Sequence, residues 1–264
     1  MNLARNTARI LTMGVPLKSW RKTARQKVED GLNRLFKTEH YRCEQEFEAF
    51  HREMTAMPRD KFHFVSLGTN CFVRLTFNLW GLKKRKAEGG LSMPFDLAIH
   101  PLPVVIRFLN DDFSGYFDNC EYDEENGYWV NLQDGIKFIH EKENDRNAFI
   151  ERYQARIENI RAALADELPC LFACHVMGDV DGQLADDLYE ALRKRCGSKK
   201  FTLLMFVFNG KLTDHKSPVK VYEAEFPYEG YLYMDRYVKY TFPGLAFEKS
   251  AVLKCRDLIE DLLK

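Results

Sequence analysis

The pattern of apolar and polar residues after residue 59 alternates between continuous apolar runs and helical stripes. Runs over 62–67, 170–176 and 201–208, and alternation over 219–226, predict four strands. Apolar stripes with a period near 3.6 residues predict helices over 71–80, 102–110, 147–165, 183–195 and 248–263. Strands that alternate with helices are typical of an α/β fold, here a three-layer sandwich with a mainly parallel sheet.

The segments around these elements set the predicted domain organisation. Residues 128–132 and 136–140 alternate and predict two further short strands. Residues 38–56 predict a polar helix, and the sequence Met57-Pro58-Arg59-Asp60 predicts a linker after it. We therefore expect an N-terminal helical extension over residues 1–58 and one α/β domain over residues 59–264.

The first 37 residues are strongly basic, with nine Lys or Arg residues against Glu29 and Asp30. The apolar run Ile10–Leu17 is too short for a secretory signal and is interrupted at Gly14 and Pro16. Two interpretations remain open. The segment is either a helical arm that is solvated or packed on the domain, or a basic amphipathic segment that lies on an anionic membrane surface.

Composition excludes several classes of function. The formal net charge is zero, so no overall field attracts nucleic acid, and no apolar run is long enough to predict a transmembrane helix. The seven cysteines are scattered, odd in number and without a C-x-x-C pair. This usage predicts a reducing, cytoplasmic compartment and no structural metal site.

Residues 62–81 contain the strongest candidate for chemistry. A predicted strand stops at Gly68, two small polar residues and Cys71 follow, and a helical stripe begins. A cysteine at a helix N-terminus is favoured as the thiolate, which is the nucleophilic form. The alternative is that Cys71 is a buried, unreactive thiol, as most free cysteines are.

Three motifs in this part of the chain carry a resemblance to a known family. The segments SLGTNC (66–71), SMPFD (92–96) and GIKFIHE (135–141) resemble the bacterial DUF1796 family, whose members are predicted to be papain-like cysteine peptidases. The similarity covers roughly residues 62–176. It implies thiol-dependent hydrolysis, with Cys71 as the nucleophile and His140 as the base.

The remaining site residues follow from this assignment. Asp96 is the candidate group that orients His140, although it is equally placed to cap a following helix. Asn70 and the backbone N–H groups at the helix start are candidate oxyanion donors, and Gly68 permits the turn and close approach of a substrate. His175 is the alternative base, and Asp179 is then the alternative orienting group.

Two alternative functions also remain open. Lys84 and Arg85 belong to a basic loop that either faces water or receives an anion such as the pyrophosphate of CoA. With a tyrosine tract over 228–240, this loop is compatible with an acyltransferase that uses a CoA thioester and a surface polysaccharide or glycolipid acceptor. The other alternative is a non-catalytic binding module. In the hydrolase interpretation, we expect a small-molecule, peptide or glycan substrate and no cofactor.

Overall fold

The computed structural model describes residues 3–12, 18–228 and 241–264. Its strands are β1 (His63–Ser66), β2 (Cys120–Asp123), β3 (Tyr128–Asn131), β4 (Ile136–Phe138), β5 (Cys170–Met177), β6 (Phe201–Phe208) and β7 (Lys220–Ala224). Its helices are α1 (Leu3–Leu11), α2 (Lys18–Leu35), α3 (Glu39–Thr55), α4 (Phe72–Leu79), α5 (Leu102–Asn110), α6 (Arg146–Ala165), α7 (Gly182–Cys196) and α8 (Phe242–Leu263).

The main sheet has four parallel strands in the order β1-β5-β6-β7. Its central strands are apolar along their whole length, because both of their faces are covered. On β6, Leu203, Met205 and Val207 join one cluster with residues of α5, α6 and α7. On the opposite face, Phe77 of α4 stacks on Phe64 of β1 with ring centroids 5.1 Å apart. Helices thus cover both faces, which confirms the predicted mainly parallel α/β fold.

A second sheet is antiparallel and has the order β2-β3-β4. The sequence predicted β3 and β4 but not β2, because the strand Cys-Glu-Tyr-Asp carries only two apolar positions. Ile99 and Lys137 form an isolated antiparallel bridge beside β4, with backbone N–H···O distances of 2.9 and 3.0 Å. This bridge ties the loop after residue 96 to the small sheet.

Most predicted boundaries agree with the structure to within two residues, and the start of α8 differs by more. Strand β4 ends at Phe138, two residues before the predicted end. Helix α8 begins at Phe242 rather than at residue 248. Gly197 follows α7 with a φ of +58° and a ψ of −120°, a positive-φ conformation that favours glycine although it is not the left-handed helical one.

The chain divides into two compact units, and the division differs in position from the predicted boundary after residue 58. The larger unit contains His51–Phe226 and Ser250–Lys264, including both sheets. The smaller unit contains the described residues of Met1–Phe50 and Pro227–Lys249. Within it, Lys249 pairs with Glu46 at 2.8 Å. Among the described residues, none of the helices is both long and apolar enough to cross a membrane.

The predicted tyrosine tract falls largely outside the described residues, which include only Tyr228 of its members. Tyr228 is buried, and its hydroxyl donates to Glu248 at 3.0 Å. Burial and the neighbouring carboxylate both raise the pKa of this hydroxyl. Its contacts are those of a packing residue, while Tyr231, Tyr233, Tyr237 and Tyr240 lie outside the described residues.

Candidate active site

Cys71 lies at the start of α4, in the predicted order of strand, tight turn, cysteine and helix. Gly68 makes the turn possible, because its φ of +88° is in the left-handed region that favours glycine. A Cβ atom at Gly68 would meet no atom closer than 3.7 Å, so conformation rather than space requires glycine there. The loop therefore delivers Cys71 to the carboxyl edge of the sheet, where functional groups of open α/β sheets gather.

Neighbouring backbone groups hold this loop in place. The N–H of His175 donates to the carbonyl of Gly68 at 2.9 Å, and the Thr69 hydroxyl donates to the His175 carbonyl at 2.9 Å. The N–H of His100 donates to the Thr69 carbonyl, also at 2.9 Å. The loop is thus tied both to β5 and to the segment that precedes α5.

His140 reaches Cys71 from the small antiparallel sheet. The sequence predicted that His140 ends a strand, but it lies in a turn after β4 that is closed by the N–H of Glu141 and the carbonyl of Phe138 at 2.8 Å. Two contacts connect this turn to the thiol. Lys137 of β4 bridges to Ile99, and the next residue, His100, is hydrogen-bonded to the loop before Cys71. Two elements 69 residues apart are brought together in this way.

The thiol and the imidazole are in contact. Cys71 Sγ lies 3.5 Å from His140 Nε2, a hydrogen-bond distance for sulfur. Cys71 is only 2% exposed, whereas His140 is exposed. The buried thiol is therefore in contact with an exposed base. Contact between the two groups is the first requirement for general-base activation of a thiol.

The protonation of the pair differs from the sequence expectation of a stabilised thiolate. Burial raises the pKa of the Cys71 thiol and outweighs the Cys71 backbone N–H, which lowers it. Partial desolvation of the His140 ring also lowers its pKa, although the Glu141 carboxylate opposes this shift. Both shifts favour the neutral forms, a thiol on Cys71 and an uncharged imidazole on His140.

Asp96 is not the orienting group that the sequence predicted. Its buried carboxylate pairs with Arg74 Nε at 3.1 Å and with Lys83 Nζ at 3.5 Å, and it accepts the Met93 N–H at 2.9 Å. No hydrogen bond joins it to His140 among the described residues. Nor does it cap a helix, since Pro101 precedes α5. Asp96, Arg74 and Lys83 form a buried ion cluster beneath α4.

The carboxylate beside His140 is Glu141, which sequence reasoning missed. It is buried, and it pairs with Arg156 at 2.9 Å and with Arg152. Both arginines lie on α6, and Arg156 also stacks over the Tyr153 ring at 4.2 Å. These pairs anchor the turn that carries His140 to α6. The signal in the sequence is the His-Glu dipeptide together with two arginines spaced four residues apart on a helix.

Asn70 stabilises the turn before α4 through its side-chain oxygen. Its Oδ1 accepts the N–H of Phe72 at 2.8 Å and so satisfies one of the free N–H groups at the start of α4. This bond fixes the side chain next to Cys71 and leaves the Nδ2 amide as a donor. The predicted oxyanion role of Asn70 is compatible with this geometry.

His175 and Asp179 do not form the alternative base pair. The His175 ring is 2% exposed and packs between Phe72 and Phe208, with centroid distances of 5.5 and 5.7 Å. Burial lowers its pKa to about 4. Asp179 is exposed and accepts the N–H of Lys211 at 2.9 Å. His175 is therefore a core histidine, and Asp179 stabilises a loop.

The basic loop residues make contacts away from the thiol. Lys84 pairs with Asp60, and Arg85 Nε donates to the Asn78 carbonyl at 3.4 Å. Neither residue is hydrogen-bonded to Cys71 or His140 in the described structure. The part of the chain that the structure describes contains no cluster of three or more His, Cys, Asp or Glu residues arranged to hold a metal ion.

No protein-family model, curated protein or solved structure matches this chain. The resemblance to a known family therefore stays a prediction from the three motifs. Two of their residues, Cys71 and His140, meet in the structure, and the third, Asp96, belongs to a separate ion cluster.

Proposed function

We propose that this protein is a thiol-dependent hydrolase with chemistry of the cysteine-peptidase type. The observation that carries the proposal is the 3.5 Å contact between Cys71 Sγ and His140 Nε2 at the carboxyl edge of a parallel sheet. A cysteine at a helix start with a histidine in hydrogen-bond contact is the arrangement that activates a thiol for attack on a carbonyl. The substrate is an ester, thioester or amide of a small molecule, peptide or glycan, and the reaction needs no cofactor.

The steps follow from the neutral state of the pair. The Cys71 proton passes to His140 Nε2 as sulfur attacks the carbonyl carbon, and the oxyanion that forms is met by N–H donors at the start of α4 and by Asn70 Nδ2. The imidazolium then returns this proton to the leaving group as the carbon–heteroatom bond breaks. The Cys71 thioester is hydrolysed by water, which His140 deprotonates, and the proton returns to sulfur when the acid departs.

An activated ester tests the first half of this reaction, the transfer of an acyl group to Cys71. After incubation with p-nitrophenyl acetate, we expect peptide mapping by mass spectrometry to find one acetyl group on Cys71. The adduct should be absent in Cys71→Ala and form about 10² to 10⁴ times more slowly in His140→Ala, because the general base is lost. Cys196, a buried thiol at the end of α7, is the internal control and should stay unmodified. Equal modification of Cys71 and Cys196 would contradict the proposal.

Hydrolysis is favoured over acyl transfer from CoA by the contacts of the basic loop. Lys84 and Arg85, the residues predicted to receive the CoA pyrophosphate, contact Asp60 and the Asn78 carbonyl, and among the described residues neither is hydrogen-bonded to Cys71 or His140. The two reactions share the thioester on Cys71, so the acceptor distinguishes them. If acetylated protein releases acetate at the same rate with and without a sugar alcohol such as sorbitol, water is the acceptor.

We also propose that the smaller unit makes peripheral contact with an anionic membrane surface from a reducing, cytoplasmic compartment. The observation is the exposure of Ile10, Leu11 and Trp20 at 67%, 64% and 65% in a strongly basic segment. Apolar side chains among lysines and arginines bind the interface of anionic lipids.

Trp20 provides the readout for this contact. The other two tryptophans, Trp80 and Trp129, are buried, so a blue shift of tryptophan emission on adding vesicles would come from Trp20. We expect the shift with vesicles that contain phosphatidylglycerol, but not with phosphatidylcholine alone. The Trp20→Phe variant should show no shift. An identical response to both vesicle types would contradict the electrostatic part of the proposal.

A further inference from the structure

A cavity of about 310 Å³ lies at the end of the main sheet opposite to Cys71. Phe62, His63 and Phe64 line it, and these residues enter β1, whereas Cys71 follows the carboxyl end of that strand. The volume is at the lower end of the range for small-molecule sites, about 300–1,000 Å³. The cavity is separate from the thiol site, since neither Cys71 nor His140 is part of its wall.

The wall combines an apolar floor with a charged rim. Phe62, Phe64, Leu82 and Met93 supply buried apolar surface. Such a surface accepts the hydrocarbon part of a ligand and excludes its water. A site of this composition, apolar with a few polar groups that fix orientation, is the usual form of a small-molecule pocket.

Most charged groups of the wall already have firm partners. Asp166 Oδ2 lies 2.5 Å from His63 Nε2, and Asp166 Oδ1 lies 2.9 Å from Lys199 Nζ. Lys83 donates to the carbonyl of Phe64 at 3.0 Å and pairs with buried Asp96. These contacts compensate the charges of His63, Asp166 and Lys83 within the protein.

Lys84 is different, because its partner carboxylate is mostly exposed to solvent. The Asp60 side chain is 82% exposed and is therefore still largely hydrated while it pairs with Lys84. Exposed ion pairs of this kind contribute little to stability, so another anion can take the place of the carboxylate at low cost. Lys84 thus offers an exchangeable cation at the rim of an apolar cavity.

We propose that this cavity binds a small amphiphile with an apolar body and one anionic group, and that the anionic group displaces Asp60 from Lys84. The apolar body occupies the floor formed by Phe62, Phe64, Leu82 and Met93. The anionic group, a carboxylate or a phosphate monoester, takes a charge-assisted hydrogen bond from Lys84 Nζ. This ligand site is independent of the Cys71 chemistry.

Octanoate, octyl phosphate, octylamine and acetate are the probes, and their affinities are measured by isothermal titration calorimetry on the full chain. We expect octanoate or octyl phosphate to bind at least tenfold more tightly than either octylamine or acetate. The comparison with octylamine tests the need for a negative charge, and the comparison with acetate tests the apolar floor. The relative affinity of the carboxylate and the phosphate identifies the preferred headgroup.

Two substitutions at the rim have opposite expected effects on the same measurement. Lys84→Ala should weaken binding of the preferred octyl anion about tenfold, because the cation is lost. Asp60→Asn should strengthen it severalfold, because the competing carboxylate is lost. Lys86→Ala is the matched control, since Lys86 belongs to the same basic loop but not to the cavity wall, and it should bind as the unchanged protein does. Equal loss in Lys84→Ala and Lys86→Ala, or no selectivity for the octyl anions, would overturn the proposal.

Discussion

The buried ion cluster of Asp96 and the contact between Cys71 and His140 use polar groups in opposite ways. In the cluster, the Asp96 carboxylate contacts Arg74, Lys83 and the backbone N–H of Met93. The side chains of Asp96, Arg74 and Lys83 are all buried. In the pair, a thiol and an imidazole make a single contact, and the imidazole is exposed. The cluster sets opposite charges against one another away from solvent, whereas the pair still has a lone pair and a proton to exchange. This contrast separates a structural role for Asp96 from a chemical role for Cys71 and His140.

The largest expected effect comes from Asp96→Ala. Removing this carboxylate leaves two cations buried without compensation, which costs about 3–5 kcal/mol of unfolding free energy. Urea denaturation followed by far-ultraviolet circular dichroism measures the loss. Replacing Arg74 by Met in the same variant should recover part of it, because one uncompensated charge is then removed.

Asp60→Ala is the control for that measurement, since this carboxylate also pairs with a lysine but is mostly exposed. We expect no measurable change in its denaturation midpoint, because water already screens the pair. A loss below about 1 kcal/mol in Asp96→Ala would contradict a structural role for the cluster and would return Asp96 to the list of site residues.

The next largest effect is the pH dependence of stability that comes from the buried histidine, His175. Burial lowers the pKa of His175 to about 4, whereas an unfolded histidine has a pKa near 6.5. Between these values, the unfolded chain binds a proton that the folded chain does not. Stability contributed by His175 is therefore complete above pH 6.5 and is lost as the pH falls, by about 1.4 kcal/mol per unit and about 3 kcal/mol in total.

The variant that tests this linkage is His175→Phe, which keeps a ring of similar size between Phe72 and Phe208. Its unfolding free energy, measured from pH 7 to pH 4, should fall less steeply than that of the unchanged protein. A residual slope is expected, because burial also lowers the pKa of His100, to about 3. Parallel curves for the variant and the unchanged protein would show that His175 titrates normally and would contradict its assignment to the core.

The sequence predicts the main sheet well because the signal for a covered strand is local. The uninterrupted apolar run of β6 and the stripes of α6 and α7 depend only on neighbouring residues. Strand β2 is not predicted because its four residues have too little apolar content. It forms a strand because it pairs with β3, not because of its own residue pattern.

The site is predicted only as far as local signals reach. The turn at Gly68 and the helix start at Cys71 can be read directly, and the histidine comes from the resemblance. The partners of Asp96 cannot be read, because Arg74 and Lys83 are selected by tertiary packing. The same limit explains the thiol pKa: the helix start is visible in the sequence, but the stronger effect of burial is not.

A smaller effect is expected at Asn70. Asn70→Ala loses the bond to the Phe72 N–H, which should cost about 1 kcal/mol of unfolding free energy, as the loss of a helix cap does. Asn70→Asp keeps an acceptor oxygen and should retain this stability, but it lacks the Nδ2 donor. Denaturation midpoints and acetylation rates of Cys71 are measured for both variants. If Cys71 is acetylated as fast in Asn70→Asp as in the unchanged protein, the Asn70 amide does not serve as an oxyanion donor.

The smallest change in stability is expected for His140→Ala, and this variant isolates the chemistry of the pair. His140 is exposed, so its loss should alter the unfolding free energy by no more than about 0.5 kcal/mol. Because the thiol pKa is raised and the imidazole pKa is lowered, we expect the free protein to hold no preformed thiolate–imidazolium pair. Alkylation of Cys71 by iodoacetamide should therefore increase about tenfold per pH unit from pH 7 to pH 9, with no plateau at acidic pH.

Alkylation and acetylation should then respond differently to the loss of the imidazole. Alkylation depends on the thiolate alone and should be nearly the same in His140→Ala and in the unchanged protein. Acetylation by an ester requires the base during attack and should be slowed strongly. His215→Ala, a change at a partly exposed histidine outside the site, should alter neither rate. An acidic plateau in alkylation that disappears in His140→Ala would show a preformed ion pair instead, and the difference between cluster and pair would then lie in geometry rather than in charge.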